Sequence, residues 1–206
     1  MCRKIQRRGN ILPCYHTYIK RCNAFTQNKL QKVETKNYKL KEIETSDINN
    51  IHKGLSNPEI TKYYDVHFST LEETEEQMEW YRNLKKDGTG IWWGIYDKQD
   101  NLFCGAGGFN SLEKEHQKAE IGLWLLKEHW GKGILKEVMP KLFEQGFTEL
   151  NLNRIEGYVV SENTKCKSAL EKINFKYEGT MRECEIKNGE KLNVDFYSIL
   201  KSEWNK

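Results

Sequence analysis

The sequence predicts a single α/β domain built on a mixed β-sheet. Strand-type and helix-type segments alternate from residue 37 to residue 204, and one strand runs directly into a glycine turn that opens a helix. No internal repeat or linker-like stretch interrupts this region. A chain of 206 residues with 37% hydrophobic and 31% charged content is large enough for one such domain with a short extension.

The first half of the domain is predicted to contain one strand followed by three helices. Tyr38 to Glu44 alternates apolar and polar residues, which is typical of a strand. Thr45 to Asp47 offers an N-cap for the first helix, and Asn57-Pro58 separates it from a short second helix. Thr70 and an acidic first turn predict the third helix, which Asp87-Gly88 ends. The expected helices cover residues 48–55, 60–64 and 72–86.

The second half is predicted to be richer in strands. Runs of aromatic and aliphatic residues are separated by turn-forming residues such as Asp97 to Asn101 and Lys187 to Gly189. Apolar residues recur at helical spacing after Gly133 and after Asn163. The expected strands cover residues 91–96, 102–109, 119–126, 154–160, 175–181 and 194–200, and the expected helices cover 135–148 and 163–173.

The basic residues are concentrated ahead of the domain. Residues 1–36 hold nine Lys and Arg residues and one Glu, whereas the whole chain has a formal charge of only +3. The domain, residues 37–204, is therefore mildly acidic, which makes nucleic acid an unexpected partner and suits a basic substrate. Residues 1–36 show no clear periodicity and no serine, so a basic, poorly ordered N-terminal extension is favoured over an organelle presequence.

Cysteine spacing and hydropathy argue against several other classes. The six cysteines form no CxxC pair and no zinc-like spacing, so free thiols in a reducing cytosol are expected. A metal site at Cys14, His16 and Cys22 is the less favoured alternative. No run of about 18 apolar residues predicts a membrane span, and the N-terminus lacks the apolar segment of a secretory signal. We therefore expect a cytoplasmic protein without a metal and without a membrane partner.

The most informative local sequence lies between a strand and a helix and reads His129-Trp130-Gly131-Lys132-Gly133-Ile134-Leu135. A helix N-terminus presents free N–H groups and a partial positive charge, and glycines let the backbone close around phosphate oxygens. The segment is neither a Walker A loop nor a complete dinucleotide fingerprint, so by itself it also fits a structural turn. Lys132 fits a phosphate contact and a solvated side chain equally well.

A second polar helix start follows further along the chain, at Asn163 in Glu162-Asn-Thr-Lys-Cys166. The Asn163 side chain fits either a helix N-cap or a hydrogen bond to an amide-rich ligand at the end of the preceding strand. Neither segment decides the function alone, but their order and separation together are informative.

Three stretches resemble the motifs of a known enzyme family. The coenzyme-binding motif of GNAT acetyltransferases resembles AEIGLWLLKEHWGKGILKEVMPKLFEQGF, and the motif that follows it resembles NRIEGYVVSENTKCKSALEKINFKYEGTMRE. The last strand of the ribosomal-protein (RimJ/RimL-like) N-acetyltransferase branch resembles VDFYSILKSEW. The likeness covers residues 37–204. It implies a GNAT fold: an α+β arrangement with a mixed, mostly antiparallel twisted sheet of six to seven strands, flanking helices and a central splayed strand pair.

The resemblance implies a binding site for acetyl-CoA. The strand ending at Leu125 and Leu126 is expected to diverge from its neighbour, and the pantetheine arm is expected to fill the gap as a pseudo-strand. Asn163 is expected to contact pantetheine, and Cys166 is expected to lie near the coenzyme sulfur. The pyrophosphate is expected to be held by the backbone amides of Gly131, Lys132, Gly133, Ile134 and Leu135.

The resemblance also implies direct attack of a neutral amine on the acetyl thioester in a ternary complex. Such a reaction needs a general base, and Glu120 on the cleft strand is the first candidate. Glu183 and Glu185 are the other candidates, and for all three an outward-facing charge is the alternative. A backbone N–H near Leu125 is the expected donor to the oxyanion.

Three positions depart from the family pattern. Leu170 replaces a tyrosine that many relatives use as a general acid, and Leu135 replaces a small residue. Cys166 replaces a serine and is a candidate proton donor to the departing thiolate, with packing on the first helical turn as the alternative. These departures motivate a second hypothesis, a catalytically silent acyl-CoA-binding module.

The acceptor is predicted only as a primary amine. The branch resemblance favours the N-terminal α-amine of a protein, in particular a ribosomal protein, and polyamines, antibiotics and amino acids are the alternatives. Tyr63, Tyr64 and Trp80 lie in the helical region that shapes the acceptor pocket in this family, with helix packing as the alternative. A homodimer is left open.

Overall fold

Eight strands form one sheet in the computed structural model, which describes residues 33–204. In chain order they are β1 (Val33–Glu34), β2 (Tyr38–Glu42), β3 (Ile91–Asp97), β4 (Phe103–Glu113), β5 (Lys118–Leu125), β6 (Arg154–Val160), β7 (Lys176–Lys187) and β8 (Glu190–Leu200). Their order across the sheet is β1-β2-β3-β4-β5-β6-β8-β7. All neighbours are antiparallel except β5 and β6, which are parallel. This confirms the predicted mixed, mostly antiparallel sheet, which has eight strands instead of the expected six to seven.

Six α-helices flank the sheet within the described residues. The short second helix begins at Pro58, earlier than the predicted 60–64, because Asn57 caps it, and the last helix was not predicted. Thr70 caps the longest helix through a capping box with Glu73, and Gly88 ends it in the left-handed conformation with φ 67°. The helices are α1 (Ile48–Leu55), α2 (Pro58–Thr61), α3 (Leu71–Asp87), α4 (Ile134–Glu144), α5 (Thr164–Glu171) and α6 (Lys201–Trp204). A π-helical turn, Gln145–Glu149, continues α4 to the end of the segment predicted as one helix.

The two faces of the sheet support separate hydrophobic cores. Along β5 the side chains alternate between them, because successive strand residues point to opposite faces. Leu123 and Leu125 pack in the core that contains α4, whereas Trp124 packs in the core that contains α1 and α3. The C-terminal half of β5 therefore contributes side chains to both cores.

Strands β5 and β6 diverge after a short stretch of pairing. Their register comprises Lys118 with Arg154, Ala119 with Ile155 and Glu120 with Glu156. Beyond this point β5 continues beside β4, and β6 continues beside β8. Within residues 33–204, each strand therefore turns one backbone edge toward a wedge-shaped gap that closes at Glu120 and opens toward α4. This is the predicted splayed pair.

The ends of the sheet differ from the sequence-based boundaries. Val33 is buried and pairs with Leu40, so the sheet begins inside the stretch assigned to the N-terminal extension. Residues 1–32 lie outside the described part of the chain. The β7–β8 hairpin is also longer than predicted, because β7 continues through an irregularity between Met181 and Glu185, where Glu183 has φ 48°.

Candidate active site

The turn between β5 and α4 requires glycine at two positions. Gly131 and Gly133 have φ values of 74° and 77°, in the left-handed region that L-residues with a side chain rarely adopt. No described atom lies within 4 Å of a Cβ built at either position. The requirement is therefore conformational, and the space beside both residues is open to a ligand.

The N-terminus of α4 offers backbone donors at this open turn. The first intrahelical hydrogen bond runs from the Glu137 amide to the Gly133 carbonyl, at 3.2 Å, so the preceding amides of Ile134 and Leu135 have no place in the helix ladder. The Glu137 carboxylate accepts hydrogen bonds from the backbone and side-chain amides of Asn37, at 2.6 and 2.8 Å. The one acidic side chain of the first turn is thus bound to the β1–β2 connection, and the helix end suits an anion.

The loop is fastened to the end of β5. Trp130 Nε1 donates to the Leu125 carbonyl at 2.9 Å, and the Leu126 amide donates to the Cys104 carbonyl at 2.9 Å. Leu125 and Leu126 therefore lie at the wide end of the gap, next to the glycine turn. The residues predicted to hold pyrophosphate and the end of the pantetheine strand are brought together.

The closed end of the gap holds two buried carboxylates. Glu120 is 3% exposed, and its Oε2 accepts from Asn110 Nδ2 at 2.8 Å. Glu156 lies beside it in the register and accepts from Arg154 Nε at 2.8 Å. The Tyr158 hydroxyl donates to Glu156 at 3.3 Å, and burial together with the charges of Glu156 and Glu120 raises the pKa of Tyr158. The predicted base therefore belongs to a polar cluster rather than to an outward-facing strand surface.

Sequence reasoning missed Glu156, Tyr158 and Asn110. The alternation along Arg154–Val160 places Glu156 and Tyr158 on one face, and this signal is readable from the sequence. Their proximity to Glu120 depends on the parallel register of β5 and β6, for which the sequence carries no local signal.

The predicted base and the predicted oxyanion donor are far apart. Strand residues rise about 3.3 Å each, so Glu120 and Leu125 are separated by roughly 17 Å along β5. The two residues therefore cannot both act on one carbonyl carbon. Glu120 lies at the closed end of the gap, and Leu125 lies at the end where a ligand would enter from the loop.

On α5 the structure shows the capping role of Asn163. Its Oδ1 accepts from the Cys166 amide at 3.2 Å, and both side chains are buried. Cys166 and Leu170 belong to the core that contains α4. Leu170 is thus a buried core residue.

The two candidate bases on β7 differ in their surroundings. The Glu183 side chain is 59% exposed and forms an ion pair with Lys191 at 2.6 Å. Glu185 is half-buried, with Oε2 enclosed by the protein. Of the two, only Glu185 has a carboxylate oxygen that is shielded from solvent.

An aromatic cavity of about 30 Å³ lies between the sheet and the α1–α3 layer. Trp80, Tyr81 and Trp92 contact one another there, with ring centroids 5.3 to 5.9 Å apart. Tyr64 and Asn110 also line it, so a single hydrogen bond joins the cavity wall to Glu120. The volume corresponds to about one water-sized group. Tyr64 and Trp80 line this cavity and Tyr63 does not, so only the first two remain candidates for an acceptor pocket.

A larger cavity of about 390 Å³ adjoins the glycine turn on the side of α1. Lys53, His129 and Lys132 line it together with Asp97 and Glu128. Burial, and to a lesser extent the charge of Lys132, lowers the pKa of His129. Because Lys132 lines this cavity, its side chain lies beside the turn that its backbone helps to form.

Residues 33–204 contain neither a cluster of metal-ligating side chains nor a membrane-spanning helix. No group of three or more His, Cys, Asp or Glu side chains in this part of the chain is arranged to hold a metal ion. Cys14, His16 and Cys22 lie outside it. No helix within the same residues is long and apolar enough to cross a membrane.

Comparison with known proteins agrees with this geometry. Residues 38–176 match the family described as acetyltransferase (GNAT) domain. The uncharacterized N-acetyltransferase p20 of Bacillus licheniformis is 34% identical over 85% of this chain and 99% of its own length. The putative ribosomal N-acetyltransferase YdaF of Bacillus subtilis is 36% identical over 60% of this chain and 67% of its own.

The fold is shared with solved structures. Spermidine N-acetyltransferase from Vibrio cholerae, in complex with CoA and spermine, superposes with a TM-score of 0.74 at 26% identity, covering 82% of this chain and 98% of that one. The glycine turn, the open N-terminus of α4 and the gap between β5 and β6 fit the pyrophosphate and pantetheine of coenzyme A. The chain therefore belongs to the GNAT acetyltransferase family, as an N-acetyltransferase whose acetyl donor is acetyl-CoA.

Proposed function

We propose that the protein transfers the acetyl group directly to a primary amine at the closed end of the gap, with Glu120 as the general base. The divergence of β5 and β6 at Glu120 carries this proposal. An arm that enters from the glycine turn and pairs with the free strand edges ends where the strands meet. Its reactive end is then next to a buried carboxylate.

The residues of this chain divide the chemistry between the two ends of the gap. Acetyl-CoA supplies the activated thioester. The backbone amides from Gly131 to Leu135 hold the pyrophosphate, and the strand edges orient the arm. Glu120 accepts a proton from the attacking amine, directly or through a water, while Asn110 fixes the carboxylate by its 2.8 Å hydrogen bond.

We place the oxyanion donor at the closed end of the gap instead of at Leu125. A backbone N–H of Ile121 to Leu123 lies on the same strand within reach of the position where Glu120 acts. Cys166 remains the proposed proton donor to the thiolate. Asn163, which caps α5 through the Cys166 amide, fixes the start of the helix on which that thiol lies.

For the acceptor we propose the N-terminal α-amine of a protein, as in the RimJ/RimL-like branch. The putative ribosomal N-acetyltransferase YdaF, at 36% identity, supports this choice. A polyamine is the second candidate. The Vibrio cholerae relative was solved with spermine, and Asp65 in the cavity wall together with the carboxylates at the closed end of the gap suits a polycation.

One experiment tests both acceptors. The purified protein and acetyl-CoA are incubated with N-terminal peptides of ribosomal proteins, the same peptides with a blocked α-amine, lysine-containing peptides, spermidine and spermine, and products are read by mass spectrometry. A gain of one acetyl group on the free α-amine supports the first candidate, and acetylated polyamine alone supports the second. Tight binding of coenzyme A without turnover of any amine would instead identify a binding module.

A further inference from the structure

The tip of the β7–β8 hairpin is fastened to a distant part of the chain. Lys187, the last residue of β7, donates through Nζ to three backbone carbonyls. These belong to Thr61, Lys62 and Tyr64, at 2.8, 2.9 and 2.5 Å. Thr61 is the last residue of α2, and the other two begin the α2–α3 connection, defined as residues 62–70.

The chemistry of both partners explains the contact. The last carbonyls of a helix lack intrahelical donors and carry partial negative charge. A lysine ammonium has three donors, which matches the three carbonyls. Lys187 therefore caps α2 from another element, whereas Lys191 on the same hairpin forms only an exposed ion pair with Glu183.

Tyr64 extends this contact to the reaction site. Its carbonyl accepts from Lys187, and its hydroxyl donates to the Leu123 carbonyl on β5 at 2.9 Å. Tyr64 and Asp65 also line the aromatic cavity. One continuous set of hydrogen bonds thus joins the hairpin, the wall of the cavity and the strand that diverges from β6.

We propose that Lys187 is a positioning residue for the acceptor amine, an inference that rests on the proposed function. By fastening the hairpin to the α2–α3 connection, Lys187 holds Tyr64 and Asp65 against the sheet and keeps the acceptor side of the cleft closed. A closed cleft admits a primary amine with a small group beside its nitrogen and excludes one with a bulky group there. Acetyl-CoA enters from the glycine turn and does not depend on this contact.

Kinetics with matched variants test the proposal. Lys187→Met keeps the length of the side chain and removes its donors, Lys187→Arg restores a cation with several donors, and exposed Glu190→Ala controls for a change at the hairpin. We expect Lys187→Met to raise KM for the accepted amine about tenfold while KM for acetyl-CoA stays within about twofold. Lys187→Arg should recover most of the loss, and Glu190→Ala should match the wild type.

Acceptor selectivity gives a second readout. In the wild type kcat/KM should favour an acceptor with a small group beside the reacting nitrogen over one with a bulky group there, and Lys187→Met should reduce that preference. An equal rise of both KM values, or unchanged kinetics in Lys187→Met, would overturn the role of Lys187 in acceptor positioning.

Hydrogen–deuterium exchange separates failure of this inference from failure of the proposed function. Amides of residues 59–68 should exchange faster in Lys187→Met than in the wild type and in Glu190→Ala, with no substrate present. If the wild type acetylates no amine, the proposed function fails, and faster exchange would still establish the contact. Unchanged exchange refutes the contact itself.

Discussion

Two glycines determine whether the turn before α4, where we propose that pyrophosphate binds, can form. Gly131→Ala and Gly133→Ala each place a side chain at a positive φ, which costs about 1 kcal/mol or more. We expect each substitution to raise KM for acetyl-CoA roughly tenfold and to leave KM for the amine unchanged, as measured by steady-state kinetics. Gly88→Ala, at φ 67° on the C-cap of α3, is the matched control. A similar effect of Gly88→Ala would show that general destabilisation is responsible.

If Glu120 is the general base, as proposed, its carboxylate should determine the rate of the chemical step. Glu120→Gln keeps the shape and the contact with Asn110 but cannot accept a proton, so we expect kcat to fall about 100-fold or more with little change in KM for acetyl-CoA. The loss should shrink at high pH, where more of the amine is already neutral. Glu183→Gln, on an exposed ion pair, should stay within about twofold of the wild type. The reverse order of effects would assign the base to β7.

The glycine turn could be predicted from the sequence, and most of the residues around the gap could not. Gly131 and Gly133 are recognisable because local backbone geometry demands glycine between a strand and a helix. Glu156 and Lys187 act through partners more than thirty and more than a hundred residues away in sequence, and no local pattern reports such pairings. The sequence likewise does not locate the point at which β5 and β6 diverge, because this point is a property of the whole sheet. For that reason Leu125 was the expected oxyanion donor.

Among the elements, a buried aspartate holds the region around α5 together. Asp195 on β8 accepts from Ser161 Oγ at 2.7 Å, Lys167 Nζ at 2.9 Å and Thr180 Oγ1 at 2.6 Å. Burial by itself acts to raise the pKa of Asp195, but these three donors outweigh it and hold the pKa below its usual range. The contacts connect β8 with β7, α5 and the segment after β6.

The lowered pKa of Asp195 has a defined consequence for stability. A carboxyl with a lower pKa in the folded state stabilises that state above its ordinary pKa, about 4, and this contribution is lost as pH falls through the folded-state pKa. We expect Asp195→Asn to lower the free energy of unfolding by about 1–3 kcal/mol at pH 7 and to make it less dependent on pH below 4. Urea unfolding at several pH values measures both, with exposed Glu190→Gln as control. An unchanged acid dependence would exclude Asp195 as its source.

Element boundaries were predictable where the core or a cap defines them. Strand β6 has the predicted bounds because polar, turn-forming residues precede and follow it, and α3 starts after Thr70 as its capping residues indicate. Strand β7 was predicted too short because its second half is exposed and interrupted at Glu183, so alternation disappears. The π-helical turn at Gln145–Glu149 cannot be distinguished from the end of α4 by periodicity.

The sheet as a whole consists of two parts that are joined by a short stretch of strand pairing between β5 and β6. Strands β1 to β5 form one part and β6 to β8 the other, and three residue pairs connect them between β5 and β6. An extended ligand in the gap would add hydrogen bonds to the backbone edges of β5 and β6 that face it. Coenzyme binding is therefore expected to connect the two parts of the sheet as well as to supply the acetyl group.

This expectation can be measured without any acceptor. Coenzyme A at about 100 times its Kd should stabilise the fold by about 2.7 kcal/mol, because a ligand that binds only the folded state shifts the unfolding equilibrium. Amide exchange should slow along Ile121–Leu125 of β5 and Gly157–Val160 of β6, in addition to the turn at Gly131 and Gly133. The double variant Gly131→Ala/Gly133→Ala should show weaker protection at the same concentration. Protection confined to the turn would mean that the arm does not occupy the gap, and the position of the thioester at Glu120 would have to be abandoned.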